Sequence, residues 1–180
     1  MTPAIIVPGI GGSGPDHWQS VWEKNDPALT RFQPASWDHP GLEDWIASLD
    51  AAIGAAPGRP FLIVHSLSCL LVAHWSVRST KQIRGAFLVS VPDPESPPFP
   101  PAARSFGGAP RTRFSFPALV VASSNDPFGT TDYSRSRAGE WGAGYVVAGA
   151  HGHINGASGL GEWKQGAALF EAFKAGTGAG

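Results

Sequence analysis

FLIVHSLSCLLVAHW, residues 61–75, is the stretch that decides the fold. Phe61 to His65 is an almost wholly apolar run, too short for a helix, and it reads as a strand buried on both faces of a parallel sheet. Beyond it, Leu67, Leu70, Leu71 and His74 recur at helical spacing. Ser66 stands at the junction. A sharp strand-to-helix turn there would expose the hydroxyl at a helix N-terminus, whose amides favour developing negative charge. Read alone, Ser66 could equally be an N-cap, a role that serine fills well.

Outward from this segment the pattern repeats. Short apolar or β-branched runs occur at Ala4–Val7, Ala86–Val91, Ala118–Ala122 and Tyr145–Val147, with a weaker strand near Arg31–Gln33. Helical periods lie between them: Trp18, Val21 and Trp22; Leu42, Trp45, Ile46, Leu49 and Ile53; Tyr133–Trp141; and Leu160, Trp163, Ala167, Phe170 and Lys174. Strands alternating with helices predict an α/β fold, a mostly parallel sheet of about six strands covered on both faces. The length of 180 residues predicts one domain spanning residues 1–180. Prolines and glycines concentrate between the runs, most densely in PDPESPPFPPAARSFGGAP, residues 92–110, which reads as a long irregular connection.

Composition narrows the function. Lys and Arg number 13 against 14 Asp and Glu, and no basic cluster larger than Arg111 with Arg113 is present, which argues against a nucleic-acid partner. No apolar stretch approaches the roughly 20 residues that span a bilayer, and the N-terminus lacks a signal-peptide pattern. The single cysteine, Cys69, rules out an internal disulfide. Together these predict a cytoplasmic protein with a small-molecule substrate and no cofactor.

In parallel sheets, ligands gather at the carboxyl ends of the strands. Four such ends carry chemistry here: Gly9-Ile10-Gly11-Gly12-Ser13-Gly14, His65-Ser66-Leu67-Ser68, Ser123-Ser124-Asn125-Asp126-Pro127 and Gly149-Ala150-His151-Gly152-His153. A hydroxyl, an imidazole, a carboxylate and backbone amides are what acyl transfer needs, and the order Ser…Asp…His suits an α/β-hydrolase. The expected amide donors to an oxyanion are those of Ile10 or Gly11 with that of Leu67. Spacing does not separate His151 from His153, and Asp93 and Asp132 compete with Asp126. Trp18, His17 and Phe128 are expected at the rim.

Three other readings compete. The sequence V-H-S-L-S departs from G-x-S-x-G at Val64 and Ser68, which would suit a non-catalytic binding protein on a hydrolase scaffold. Gly9–Gly14 also matches the dinucleotide fingerprint G-x-G-x-x-G. However, Pro15–Trp18 is bulky where a tight helix contact is needed, and Gln33-Pro34 stands where an acid is expected. Metal ligation by His151 and His153 lacks a third ligand at typical spacing.

Four segments together resemble a known family: IIVPGIGGSGPDHWQSVWE (5–23), LIVHSLSCLLVAHW (62–75), VVASSNDPFGTTDYSRSRA (120–138) and GHINGASGLGEW (152–163). They are similar to small, cap-less serine hydrolases related to retinoblastoma-binding protein nine and its bacterial relatives. The resemblance implies a compact α/β-hydrolase fold with no cap domain, an esterase-like or amidase-like activity, Ser66 as nucleophile, Asp126 in NDP as acid and His153 in GHIN as base. Family members usually read A-H-S-L-G-C at the elbow, so Val64 and Ser68 depart from this pattern as well. Leu67-Ser68-Cys69-Leu70-Leu71 lacks the glutamate of the L-x-C-x-E motif, so a retinoblastoma-protein partner is not implied.

Overall fold

Six parallel strands align in one sheet in the order β2-β1-β3-β4-β5-β6. The structure is a computed structural model, and it describes residues 2–178. The strands are β1 (Ala4–Val7), β2 (Leu29–Arg31), β3 (Phe61–His65), β4 (Gly85–Val89), β5 (Ala118–Ala122) and β6 (Gly144–Val147). The helices are α1 (Trp18–Asn25), α2 (Leu42–Ala55), α3 (Leu67–Ser76), α4 (Thr131–Trp141) and α5 (Lys164–Gly176).

The sheet divides the core in two. Ile5, Val7, Leu62, Val64, Ala86, Leu88 and Val120 pack with side chains of α2, α3 and α4 on one face. Ala4, Ile6, Phe61, Ile63, Phe87, Val89 and Val121 pack with Trp18 of α1 and Phe170 of α5 on the other. The period-2 alternation of a strand is therefore present but invisible as polarity, because both faces are dry. Each fully buried Leu, Ile, Val or Phe contributes about 1.5–3 kcal/mol. Helix α3 is buried from Leu67 to Trp75, which is why its sequence is apolar nearly all round. The edge strands β2 and β6 are half-exposed.

Local chemistry sets the helix ends. His17 caps α1, its Nδ1 accepting from Gln19 N at 3.1 Å. Thr130 caps α4 through Tyr133 N, and Glu43 and Asp44 complement the dipole at the start of α2. Three boundaries differ from expectation. The second strand lies at Leu29–Arg31, slightly earlier than the apolar signal around Phe32. The last helix begins at Lys164, because Gly159, Gly161 and Trp163 adopt positive φ and end any helical path through Leu160. The Pro92–Pro110 connection is not irregular throughout: Pro101–Phe106 forms a 3-10 turn with Ala103 and Phe106 buried, and the Phe106 carbonyl lies 3.1 Å from His74 Nε2.

The topology positions the site. From β1 the chain runs to β2 on one side, and from β3 it runs to β4 on the other, so a crevice opens between the carboxyl ends of β1 and β3. The glycine loop after β1 and Ser66 after β3 face each other across it.

Candidate active site

Ser66 has φ 54 and ψ −123, a conformation in which a non-glycine residue is strained by roughly 1–3 kcal/mol. The surroundings over-determine it. Ser66 N donates to Val89 O at 2.9 Å, Cys69 N donates to Ser66 O at 2.8 Å, and Val64 and Leu67 on either side are buried. Ser66 occupies the N-cap position of α3 but makes no capping bond. Its Oγ lies instead 2.7 Å from His153 Nε2. The two departures at the elbow are both accommodated. Val64 is fully buried in the α2–α3–α4 side of the core, and Ser68 Oγ donates to Pro8 O at 2.5 Å. Close approach falls on the facing loop: a Cβ on Gly9 would lie 3.0 Å from Ser66 Cβ and 3.3 Å from Leu67 N.

His153 Nδ1 is 2.8 and 2.9 Å from the two Asp126 carboxylate oxygens. With a neutral imidazole, Nδ1–H donates to the carboxylate and Nε2 accepts from the Ser66 hydroxyl. The Asp126 side chain is 2% exposed, and its Oδ1 also accepts from Phe128 N at 2.9 Å. The competing residues point elsewhere. His151 Nε2 sits 3.0 Å from Ala148 O, Asp93 accepts from Glu95 N in its own turn, and the Asp132 side chain is 93% exposed beside Arg135. Among the described residues, no group of three or more His, Cys, Asp or Glu is placed to hold a metal ion.

Polar side chains tie the acid and base loops together. Asn125 Oδ1 accepts from Gly152 N at 2.7 Å and from Ser123 Oγ at 2.9 Å. Ser123 Oγ in turn accepts from His151 N, and Ser158 Oγ donates to His151 O at 2.6 Å. His65, next to the nucleophile, donates from Nε2 to His153 O at 2.9 Å. Sequence spacing carried no signal for Asn125 or His65, because their roles depend on loops that meet only in space.

The glycine loop is equally braced. Arg31 donates to Gly12 O at 2.5 Å and Ser13 O at 3.2 Å. Gln19, fully buried, donates to Ile63 O at 2.9 Å and accepts from Ser13 Oγ at 2.7 Å. Gly11 N is engaged by Trp37 O at 3.0 Å. Of the three expected amides, those of Ile10 and Leu67 are left without a protein acceptor, and both residues border the cleft. The loop carbonyls that Arg31 binds also show why G-x-G-x-x-G here serves the elbow: the second strand ends in a cation turned back onto the loop, where a dinucleotide site needs an acid.

The cleft is a cavity of about 290 Å³ whose wall includes Ser66, His153, Ile10, Leu67, Phe99 and Phe128, with no Asp, Glu, Lys or Arg among its lining residues. Two larger hollows, about 590 and 720 Å³, lie away from Ser66. Of the expected rim residues, Phe128 packs against His153 with its ring tilted and the centroids 4.4 Å apart, whereas Trp18 is a core residue, 1% exposed, donating to Ile154 O. His17 is buried; burial first, then the charges of Arg31 and His153, lower its pKa to about 3. Burial likewise holds His65 well below the usual imidazole range.

A parallel sheet with this switch point and a strained serine after its third strand defines the α/β-hydrolase fold. Within that class the chain belongs to the serine hydrolase family, whose pattern matches residues 4–172. Among solved structures it is similar to a YdeN-like hydrolase from Pectobacterium atrosepticum, at 26% identity over 98% of this chain and 92% of that one, with a TM-score of 0.88. It also shares its fold with the ydeN gene product of B. subtilis (20% identity, 97% and 100% coverage, TM-score 0.79) and with a monoacylglycerol lipase from Paleococcus ferrophilus (16%, 96% and 95%, 0.67). No curated protein matches the chain. The protein is a hydrolase, and among the described residues no helix is long and apolar enough to cross a membrane.

Proposed function

We propose that the protein hydrolyses small, uncharged carboxylic esters through an acyl-enzyme on Ser66. One observation carries this: the continuous chain from Ser66 Oγ to His153 Nε2 at 2.7 Å and from His153 Nδ1 to Asp126 at 2.8 Å. His153 takes the hydroxyl proton as Ser66 attacks the carbonyl carbon. Asp126 holds the imidazole tautomer and stabilises the imidazolium, and the Ile10 and Leu67 amides receive the oxyanion. His153 then returns the proton to the departing alcohol. A water, deprotonated by the same imidazole, attacks the acyl-enzyme and releases the acid, regenerating the Ser66 hydroxyl. Serine, imidazole, carboxylate and amides account for every proton and charge in this cycle.

The cleft supports the substrate class. Its apolar, uncharged wall suits neutral acyl groups, and its size favours short ones. The monoacylglycerol lipase named above shares only the fold, so its substrate is not carried over. Amides remain the harder variant of the same chemistry. The lone, buried Cys69 suits a reducing cytoplasm.

A fluorophosphonate probe tests the proposal. Covalent labelling that disappears in Ser66→Ala is expected, together with a fall in ester turnover on the order of 10⁵–10⁶-fold. A folded wild-type protein that takes no label would overturn it.

A further inference from the structure

The cycle above turns His153 into an imidazolium twice, once as Ser66 is acylated and once as water attacks the acyl-enzyme. Asp126 meets that charge at Nδ1, and both side chains are almost wholly buried. Nε2 faces Ser66, and the cleft lining supplies no other carboxylate. Two further rings pack against the imidazole. His65, with its centroid 5.1 Å away, is kept neutral by burial and so brings no second cation. Phe128 is closer: the centroids are 4.4 Å apart and the planes are tilted by 43°. At that separation the two rings overlap in part rather than meeting edge to edge.

Phe128 is fixed independently of the imidazole. Its N–H donates to Asp126 Oδ1 at 2.9 Å, so the residue whose ring packs on the base is also tied to the acid. Its carbonyl accepts from Asp93 N at 2.7 Å, on the segment after β4. The next residue must be glycine, because a Cβ on Gly129 would collide with Val91 O. Phe128 is thus clamped between the turn that carries the acid and the segment after β4, with its half-buried side chain bordering the cleft. Packing alone would be served by leucine. An aromatic ring adds a quadrupole that attracts a cation within about 6 Å of its centroid, most strongly where water is excluded.

We infer that Phe128 is a positioning residue whose ring steadies the His153 imidazolium, and with it both proton transfers of the cycle. The inference rests on the acyl-enzyme reading above and adds a partner for the charge that this reading creates. A neutral imidazole gains little from the quadrupole and an imidazolium gains more. The contact therefore strengthens on the way to the transition state, which is the condition for it to raise the rate.

Ring fluorination separates charge from packing. Phenylalanine carrying one, two or three ring fluorines, placed at position 128, nearly preserves the size of the side chain while draining its π face of negative potential. Two rates are read: labelling by a fluorophosphonate, and kcat/KM for p-nitrophenyl acetate and butyrate. Each is expected to fall stepwise with fluorine number, to about a tenth with three, and by the same factor for both esters. Phe128→Leu retains apolar bulk without the quadrupole and should fall at least as far. Phe128→Tyr retains the π face and should stay within about twofold of wild type.

Rates indifferent to fluorine, even where Phe128→Leu is slow, would reduce the ring to a wall of the cleft and overturn the inference while leaving the hydrolase standing. A fall that differs between acetate and butyrate would do the same, since it tracks contact with the acyl chain rather than the charge on the base. A folded wild-type protein that takes no label overturns both readings.

Discussion

The nucleophile and its two partners are held by opposite kinds of structure. Ser66 sits between a strand and a helix buried from Phe61 to Trp75, and its conformation is enforced by packing and backbone bonds. Asp126 and His153 sit on exposed loops, and a mesh of side-chain hydrogen bonds through Ser123, Asn125 and Ser158 holds them in register. The apolar half tolerates strain because the core around it cannot shift without opening a void. The polar half positions its groups only as well as each bond in the mesh survives.

The largest effect should come from disturbing the apolar half at its closest approach. Gly9→Ala would place a methyl 3.0 Å from Ser66 Cβ and 3.3 Å from Leu67 N, with backbone on both sides. Overpacking of this kind costs about 1–3 kcal/mol, and a displaced nucleophile and oxyanion amide should lower kcat/KM on the order of 10²-fold. Steady-state ester hydrolysis with a parallel denaturant titration would check it. An Ala variant with full activity would show that the crevice is looser than its contacts indicate.

Next comes the residue that departs from the common elbow pattern. Val64 fills core space with Val7 and Leu62, so Val64→Gly should cost about 3 kcal/mol by opening a cavity and freeing a strand residue. No gain in kcat is expected, because the tight contact lies at Gly9. A more active glycine variant would mean that Val64 holds the elbow off its best geometry.

The same contrast explains what could be read in advance. The α/β architecture and the place of Ser66 at a strand-to-helix junction follow from hydrophobic runs, since burial on both faces writes itself directly into composition. His153 could not be separated from His151 by spacing, because both follow β6 and only their bonds differ: one ring meets Asp126 and Ser66, the other the Ala148 carbonyl. The commitment of Gly11 to Trp37 was equally invisible, being a contact with a loop 26 residues away. Trp18 was misplaced at the rim for the converse reason, as a tryptophan beside polar residues looks exposed until α5 covers it.

Breaking the polar half should cost less. Asn125→Ala removes the acceptor of Gly152 N and Ser123 Oγ without touching the triad. Roughly 1–2 kcal/mol of stability is expected to go with them, and kcat should fall about tenfold as the imidazole loses its fixed position. A larger loss in kcat than from Gly9→Ala would reverse the order proposed for the two halves.

A last effect is one of pH, and it reports on the seam where the halves meet. His17 and His65 are buried there as neutral rings, so the native state resists protonation that the unfolded chain accepts near 6.5. Between pH 6.5 and the His17 value of about 3, the unfolded state binds the extra proton, and stability must fall as pH falls. The slope is about 1.4 kcal/mol per pH unit for each fully excluded proton. Asp50 behaves differently. Burial raises its pKa, but hydrogen bonds from Lys81, Ser79 and Trp75 outweigh that and hold it below the usual carboxylate value, so its contribution disappears only in stronger acid. Denaturation midpoints between pH 7.5 and 5 therefore isolate the histidines. His17→Asn should flatten the acid slope by about one proton's worth while His65 retains its own share. A wild-type profile flat across that window would mean that both rings take up protons in the folded protein, and that the seam is more open to water than their burial indicates.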